Sequence, residues 1–87
     1  MLHPINREVQ TMKYQFAPAF LDAVRIRGLT ATKLAEIAHV STSTVAAALQ
    51  GKEVQMATAL RLARAVAETP VIPALEQWVR DDHLDVS

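Results

Sequence analysis

Between residues 29 and 51, an apolar pattern with the period of a helix stops and then restarts. Apolar or small side chains recur at helical spacing within residues 34–38 and again within residues 45–49, so each half presents one apolar stripe. The period breaks across residues 39–41. Two short helices joined by a tight turn are therefore predicted, which is the arrangement of a helix-turn-helix.

Capping residues and glycines delimit the first three of five predicted helices, because Ser and Thr favour the N-cap and Gly favours the left-handed stop after a helix. The predicted helices are about 18–27 ended by Gly28, 31–38 capped by Thr30, 42–50 capped by Ser41 or Thr42 and ended by Gly51, 55–68, and 73–82. The first helix is predicted to bury Phe20, Leu21 and Val24. The fourth has the most regular period, and its predicted core residues are Met56, Ala59, Leu60, Ala63, Val66 and Ala67.

In the segment 1–16, the spacing of apolar residues fits both a helix and a strand. Helical spacing is found at Ile5, Val9, Met12 and Phe16, whereas Met12, Tyr14 and Phe16 also alternate as in a strand. A short helix or an ordered arm is favoured here. The fold class predicted for the chain is all-α, a compact bundle of four to five short helices with the helix-turn-helix at the second and third.

Composition favours one small domain with a modest core. The chain has 87 residues, 51% of them hydrophobic, with many alanines and two glycines, which suits closely packed helices. The absence of cysteine excludes a disulfide framework and a thiolate metal site. No apolar run approaches the roughly 18–20 residues of a membrane span. The N-terminus lacks the basic segment followed by an apolar segment that is typical of a signal peptide. A cytoplasmic protein that does not contact a membrane is expected.

The charge is unevenly distributed although it sums to zero. Residues 1–67 carry eight basic and four acidic side chains, a net charge of +4, and residues 68–87 carry one basic and five acidic side chains, a net charge of −4. A basic body with an acidic end suits a module that faces a polyanion. An ordinary solvated surface with a solvated tail is the alternative interpretation.

Several positions match a known family pattern in order and spacing. They are Leu29-Thr30, Leu34-Ala35-Glu36, Val40-Ser41, Val45 and Gly51. Over about residues 17–68 the chain resembles the lambda-repressor-like family of Cro/XRE-type helix-turn-helix proteins, which bind DNA. Two positions depart from that pattern: His39 stands where the family has glycine, and Ala31 where it often has a glutamine that contacts a phosphate.

The resemblance implies that the third helix enters the major groove of double-stranded DNA with its first turn toward the bases. The side chains expected to contact bases are Thr42, Ser43, Ala46, Ala47 and Gln50. Because this face has no arginine, recognition is expected to lean toward A·T pairs or DNA shape. The residues expected to contact phosphates are Thr30, Thr32, Lys33, Thr44 and Lys52.

A single helix of this kind contacts only a few base pairs, so a homodimer on an inverted-repeat operator is expected. Its predicted interface is Val71, Ile72, Leu75, Trp78 and Val79, within a C-terminal segment 69–87 that ends in an acidic tail. The leading hypothesis is a small repressor that acts by occupying its promoter. The alternative is an antitoxin or other protein-interaction module that uses residues 1–16 or 80–87 to hold a protein partner.

An enzyme is not expected. His3, His39 and His83 are scattered along the chain, and two glycines do not supply a phosphate-cradling loop. Asp81, Asp82, His83 and Asp85 offer weak metal ligands, but a frayed acidic end is the favoured interpretation. No cofactor is expected.

Overall fold

The structure, a computed structural model, describes residues 12–78. In chain order its elements are β1 (Lys13–Tyr14), α1 (Ala19–Arg25), α2 (Ala31–Ala38), α3 (Thr42–Leu49), β2 (Val54–Gln55), α4 (Met56–Glu68) and α5 (Pro73–Glu76). This part of the chain is mostly helical, as predicted. The all-α class is not confirmed in full, since β1 and β2 pair as a two-stranded antiparallel sheet.

The core lies where α2, α3 and α4 meet. Leu34, Val45 and Leu62, one from each helix, are completely buried. The remaining buried positions of these helices are nearly all alanine: Ala35, Ala38, Ala48, Ala59 and Ala65. A methyl group is the smallest side chain that still excludes water, so the helix axes can approach closely around three bulky residues. Val24 of α1 and Val54 of β2 close the core from the side.

The buried face of α4 is rotated from the predicted one. Ala59 and Val66 are buried as expected, but Leu60 is 54% exposed, and Ala63 and Ala67 are exposed. Leu62 and Ala65 are buried in their place. Residues 60 and 62 lie on opposite sides of a helix, so only one of the two leucines can face the core. Alanines lie on both the predicted and the observed buried face of α4. The sequence pattern therefore does not determine which face is buried.

The helix ends agree with the predicted caps. Thr30 Oγ1 accepts a hydrogen bond from the Lys33 N–H at 3.0 Å, and Ser41 Oγ accepts one from the Thr44 N–H at 3.2 Å. Gly28 has a φ of +69°, which glycine adopts without a steric penalty. Helix α1 is shorter than predicted because residues 26–28 form a turn, and Phe20 and Leu21 are only half-buried.

The N-terminal described segment, predicted as a short helix or an ordered arm, contains the two-residue strand β1. Lys13 pairs with Gln55 and Tyr14 with Val54, and the Met56 N–H donates to the Met12 carbonyl at 2.8 Å. The alternation of Met12, Tyr14 and Phe16 was the signal for it. The rest of the segment 1–16, up to residue 11, lies outside the described residues.

The C-terminal described segment turns back onto α1. The Ile72 N–H donates to the Ile26 carbonyl at 2.8 Å, and the Arg27 guanidinium donates to the carbonyls of Thr69 and Ala23 at 2.9 and 2.8 Å. Helix α5 ends at Glu76, earlier than the predicted limit of 82; residues 79–87 lie outside the described part.

We expect Leu62→Ala to lower the free energy of unfolding by about 2–5 kcal/mol, because it leaves a cavity at a fully buried site. Urea denaturation followed by circular dichroism measures this. Leu60→Ala is the matched control, and at an exposed site we expect a change within about 0.5 kcal/mol. Equal losses in the two variants would contradict the observed phase of α4.

Candidate nucleic-acid interface

One face of helix α3 is buried in the core, and the opposite face is accessible to solvent. Val45 and Ala48 are buried in the core, whereas Thr42, Ser43 and Gln50 are exposed. Of the five residues predicted to contact bases, Ala46 and Ala47 are half-buried, and Ala47 also packs against the core. The accessible side chains of this surface are therefore polar ones at the two ends of the helix, with small apolar ones between them.

Three hydroxyls meet at the first turn of α3. Ser41 Oγ lies 2.8 Å from Thr44 Oγ1 and 3.3 Å from Ser43 Oγ. The amide of Val45 donates to the Ser41 carbonyl at 3.1 Å, and that of Thr44 donates to the Ser41 side chain. The amides of Thr42 and Ser43 are thus left at the open end of the helix, where an acceptor from outside can approach them.

The turn between α2 and α3 contains a left-handed histidine. His39 has φ +61° and ψ +47°, and it is the one non-glycine residue with positive φ among those described. The Val40 N–H donates to the Ala35 carbonyl at 3.1 Å, and Arg61 Nη1 of α4 donates to the His39 carbonyl at 3.4 Å. The turn fixes the angle between α2 and α3, so its geometry sets how far α3 stands out from the molecule.

Most of the predicted phosphate-contacting residues are accessible. Thr30, Thr32, Lys33 and Lys52 are exposed, and Thr44 is half-buried. Lys33 Nζ lies 3.9 Å from Glu36 Oε1, a solvent-exposed pair whose interaction is weak. The Thr30 hydroxyl accepts the bond that caps α2, but it keeps its own proton for a further acceptor.

The predicted dimer residues form a partly exposed apolar patch. Trp78 is 82% exposed, Ile72 and Leu75 are about half as exposed as Trp78, and Val71 is half-buried. Ile72 and Leu75 also cover Gly28, where an added methyl group would lie 3.0 Å from Ile72 Cδ1. Val79 lies outside the described residues.

Two further kinds of site were sought in residues 12–78. No three His, Cys, Asp or Glu side chains of this part are grouped closely enough to hold a metal ion. None of its helices has the length and apolar character needed to cross a bilayer. The acidic residues at 81–85, interpreted from the sequence as a frayed end, lie outside this part. Comparisons with family models, curated proteins and solved structures return no match.

We expect His39→Gly to raise the free energy of unfolding by about 0.5–1 kcal/mol, because glycine removes a left-handed strain of about 1–2 kcal/mol and adds some chain entropy to the unfolded state. The His39 carbonyl that Arg61 contacts is kept. His39→Val is the opposing control, since a β-branched residue is worst at positive φ. A stabilised valine variant, in thermal unfolding, would contradict the observed turn.

Proposed function

We propose that the chain is a sequence-specific regulator of transcription that binds double-stranded DNA as a small homodimeric repressor. The observation that carries the proposal is the exposure of Thr42 and Ser43 on a helix anchored by Val45 and Ala48. A short helix that stands on a compact bundle with an accessible polar first turn has the shape that the major groove admits.

The chemistry of this surface suits the recognition of base edges. Ser43 can donate to or accept from several bases, and Thr42 offers a methyl group to thymine. Gln50 can form two hydrogen bonds with adenine. The small side chains of Ala46 and Ala47 allow the helix backbone to approach closely. Since α3 carries no arginine, the commonest contact to guanine is missing, and recognition leans toward A·T pairs and DNA shape.

Phosphate contacts would flank the recognition surface. Lys33 is near the start of α2 and Lys52 follows α3. In the sequence, the two cations therefore precede and follow the helix that would enter the groove. Thr30, Thr32 and Thr44 add hydroxyl donors, and the open amides of α3 add backbone donors. Such contacts release counterions, so affinity is expected to fall steeply with salt.

Dimerisation would supply the second half-site. Ile72, Leu75 and Trp78 expose apolar surface on a segment that the core of α2, α3 and α4 does not require. Two copies joined through this patch would bind an inverted repeat with half-sites about one DNA turn apart.

Selection of bound sequences from random duplex DNA, at two salt concentrations, tests the proposal. We expect an inverted repeat, bound more weakly at the higher salt. Absence of any salt-sensitive duplex binding, with a stable protein partner recovered instead, would favour the antitoxin or protein-interaction alternative.

We expect Ser43→Ala and Gln50→Ala to change the preferred sequence, at about 1–3 kcal/mol for each lost base contact. Gln77→Ala, which removes another exposed glutamine from the α5 end, is the matched control. By contrast, Lys33→Ala and Lys52→Ala should weaken all sequences alike. The measurement is selection followed by titration of the best and second-best sites; an unchanged preference in both α3 variants would contradict the assignment.

We expect Trp78→Ala to shift the protein toward monomer and to weaken operator binding, because it removes the most exposed apolar side chain of the patch. Sedimentation equilibrium measures the association. Leu60→Ala removes exposed apolar surface on α4 and serves as the control. The dimer assignment would fail if the two variants associated equally well.

A further inference from the structure

The β1–β2 pair attaches the N-terminal described segment to the loop that follows α3. Besides the strand pairing of Lys13 with Gln55, Gln15 Nε2 donates to the Gly51 carbonyl at 3.1 Å, and the Met56 N–H donates to the Met12 carbonyl. These bonds hold the strand at both ends of the loop between α3 and α4. We call Lys13–Tyr14 with Val54–Gln55 the β-ribbon.

The two faces of β1 have different surroundings, because successive side chains along a strand point to opposite sides. The Tyr14 and Phe16 rings are in edge contact at 4.9 Å, and Phe16 stacks on Phe20 of α1 at 3.9 Å. Phe16 is half-buried against the core, whereas Tyr14 is 41% exposed. Lys13 and Gln15 alternate with these two rings along the chain, and the bond from Gln15 to the Gly51 carbonyl places Gln15 beside the α3–α4 loop.

The segment also lies beside the end of α3. Phe16 lines an open cavity of about 350 Å³ together with Pro18, Leu49, Gln50 and Gly51. A residue of the N-terminal segment is therefore next to Gln50, which the proposed function assigns to a base contact. The β-ribbon is adjacent to the recognition surface and not on the far side of the molecule.

Three charged residues belong to β1 and to the loop between α3 and α4. Lys13 and Lys52 are exposed, and Glu53 is the acidic residue of the loop. The ion pair found within residues 12–78 is that of Lys33 with Glu36. Lys13 and Lys52 therefore have no carboxylate of this part of the chain within 4.0 Å. A paired strand that carries an exposed ammonium group provides a contact for an anionic chain at low conformational cost.

We propose that the β-ribbon is a second DNA-contacting element, in which Lys13 binds a backbone phosphate beside the groove that α3 enters. This inference rests on the proposed function and extends it to a residue far from the helix-turn-helix in sequence. Lys13 carries no base information in this role, and it fixes the orientation of the protomer on the duplex together with Lys52.

The test compares Lys13→Gln with Arg25→Gln in the full chain, on the best duplex from the selection. Arg25 is an exposed arginine in the last turn of α1, so its loss changes the net charge equally. For Lys13→Gln we expect the slope of log affinity against log salt to decrease in magnitude by about 0.9 per protomer, with an unchanged sequence preference. The loss of affinity between 50 and 200 mM salt then becomes about 3.5-fold smaller for each protomer. Lys13→Arg should keep the wild-type slope.

Three outcomes overturn the inference, and they are distinguishable. If Lys13→Gln and Arg25→Gln have the same slope, the ribbon makes no phosphate contact although the protein binds DNA. If Lys13→Gln changes the preferred sequence, Lys13 contacts a base and the backbone assignment is wrong. If the wild-type chain binds no duplex, the proposed function fails and the inference fails with it. Thermal unfolding of each variant verifies that the exposed substitutions leave the fold intact.

Discussion

The close packing of α3 against α2 is the constraint on which the rest of the structure depends. Helix α3 has eight residues, too few to persist alone in water, so its conformation is supplied by burial of Val45 and Ala48. Alanines on the neighbouring helices bring the backbones near enough for Val45 to fill the space between them. The same packing commits one face of α3 to the core and thereby leaves its polar first turn accessible.

Local chemistry in the sequence was sufficient to predict the central helices, and α2 was predicted with its observed limits. Thr30, Ser41 and Gly28 each act through groups within a few residues, so their roles can be inferred without a tertiary structure. The resemblance placed His39 where the family has glycine, and the structure gives His39 a φ of +61°. Exposure of Thr42, Ser43 and Gln50 then followed from the stripe of α3 alone.

The features that the sequence did not predict depend on partners distant in the chain. The phase of α4 is decided by which leucine faces α2 and the rest of the core, and an alanine-rich helix offers no local preference between Leu60 and Leu62. The strand at Lys13 exists because Val54 and Gln55 lie beside it, some forty residues later. Two-residue strands have almost no period of their own, so the sequence pattern left a short helix and an ordered arm both open for this segment.

A net charge of zero is compatible with the proposed contact to a polyanion, because electrostatic interactions are local at physiological salt. The Debye length is about 8 Å at 0.15 M, so a phosphate interacts chiefly with the cations next to it and only weakly with an acidic residue farther away. Lys33, Lys52 and Lys13 lie in the part of the chain with a net charge of +4, and the compensating carboxylates are concentrated after residue 67. The distribution of charge along the chain, and not its sum, is therefore the relevant quantity for the proposed contact.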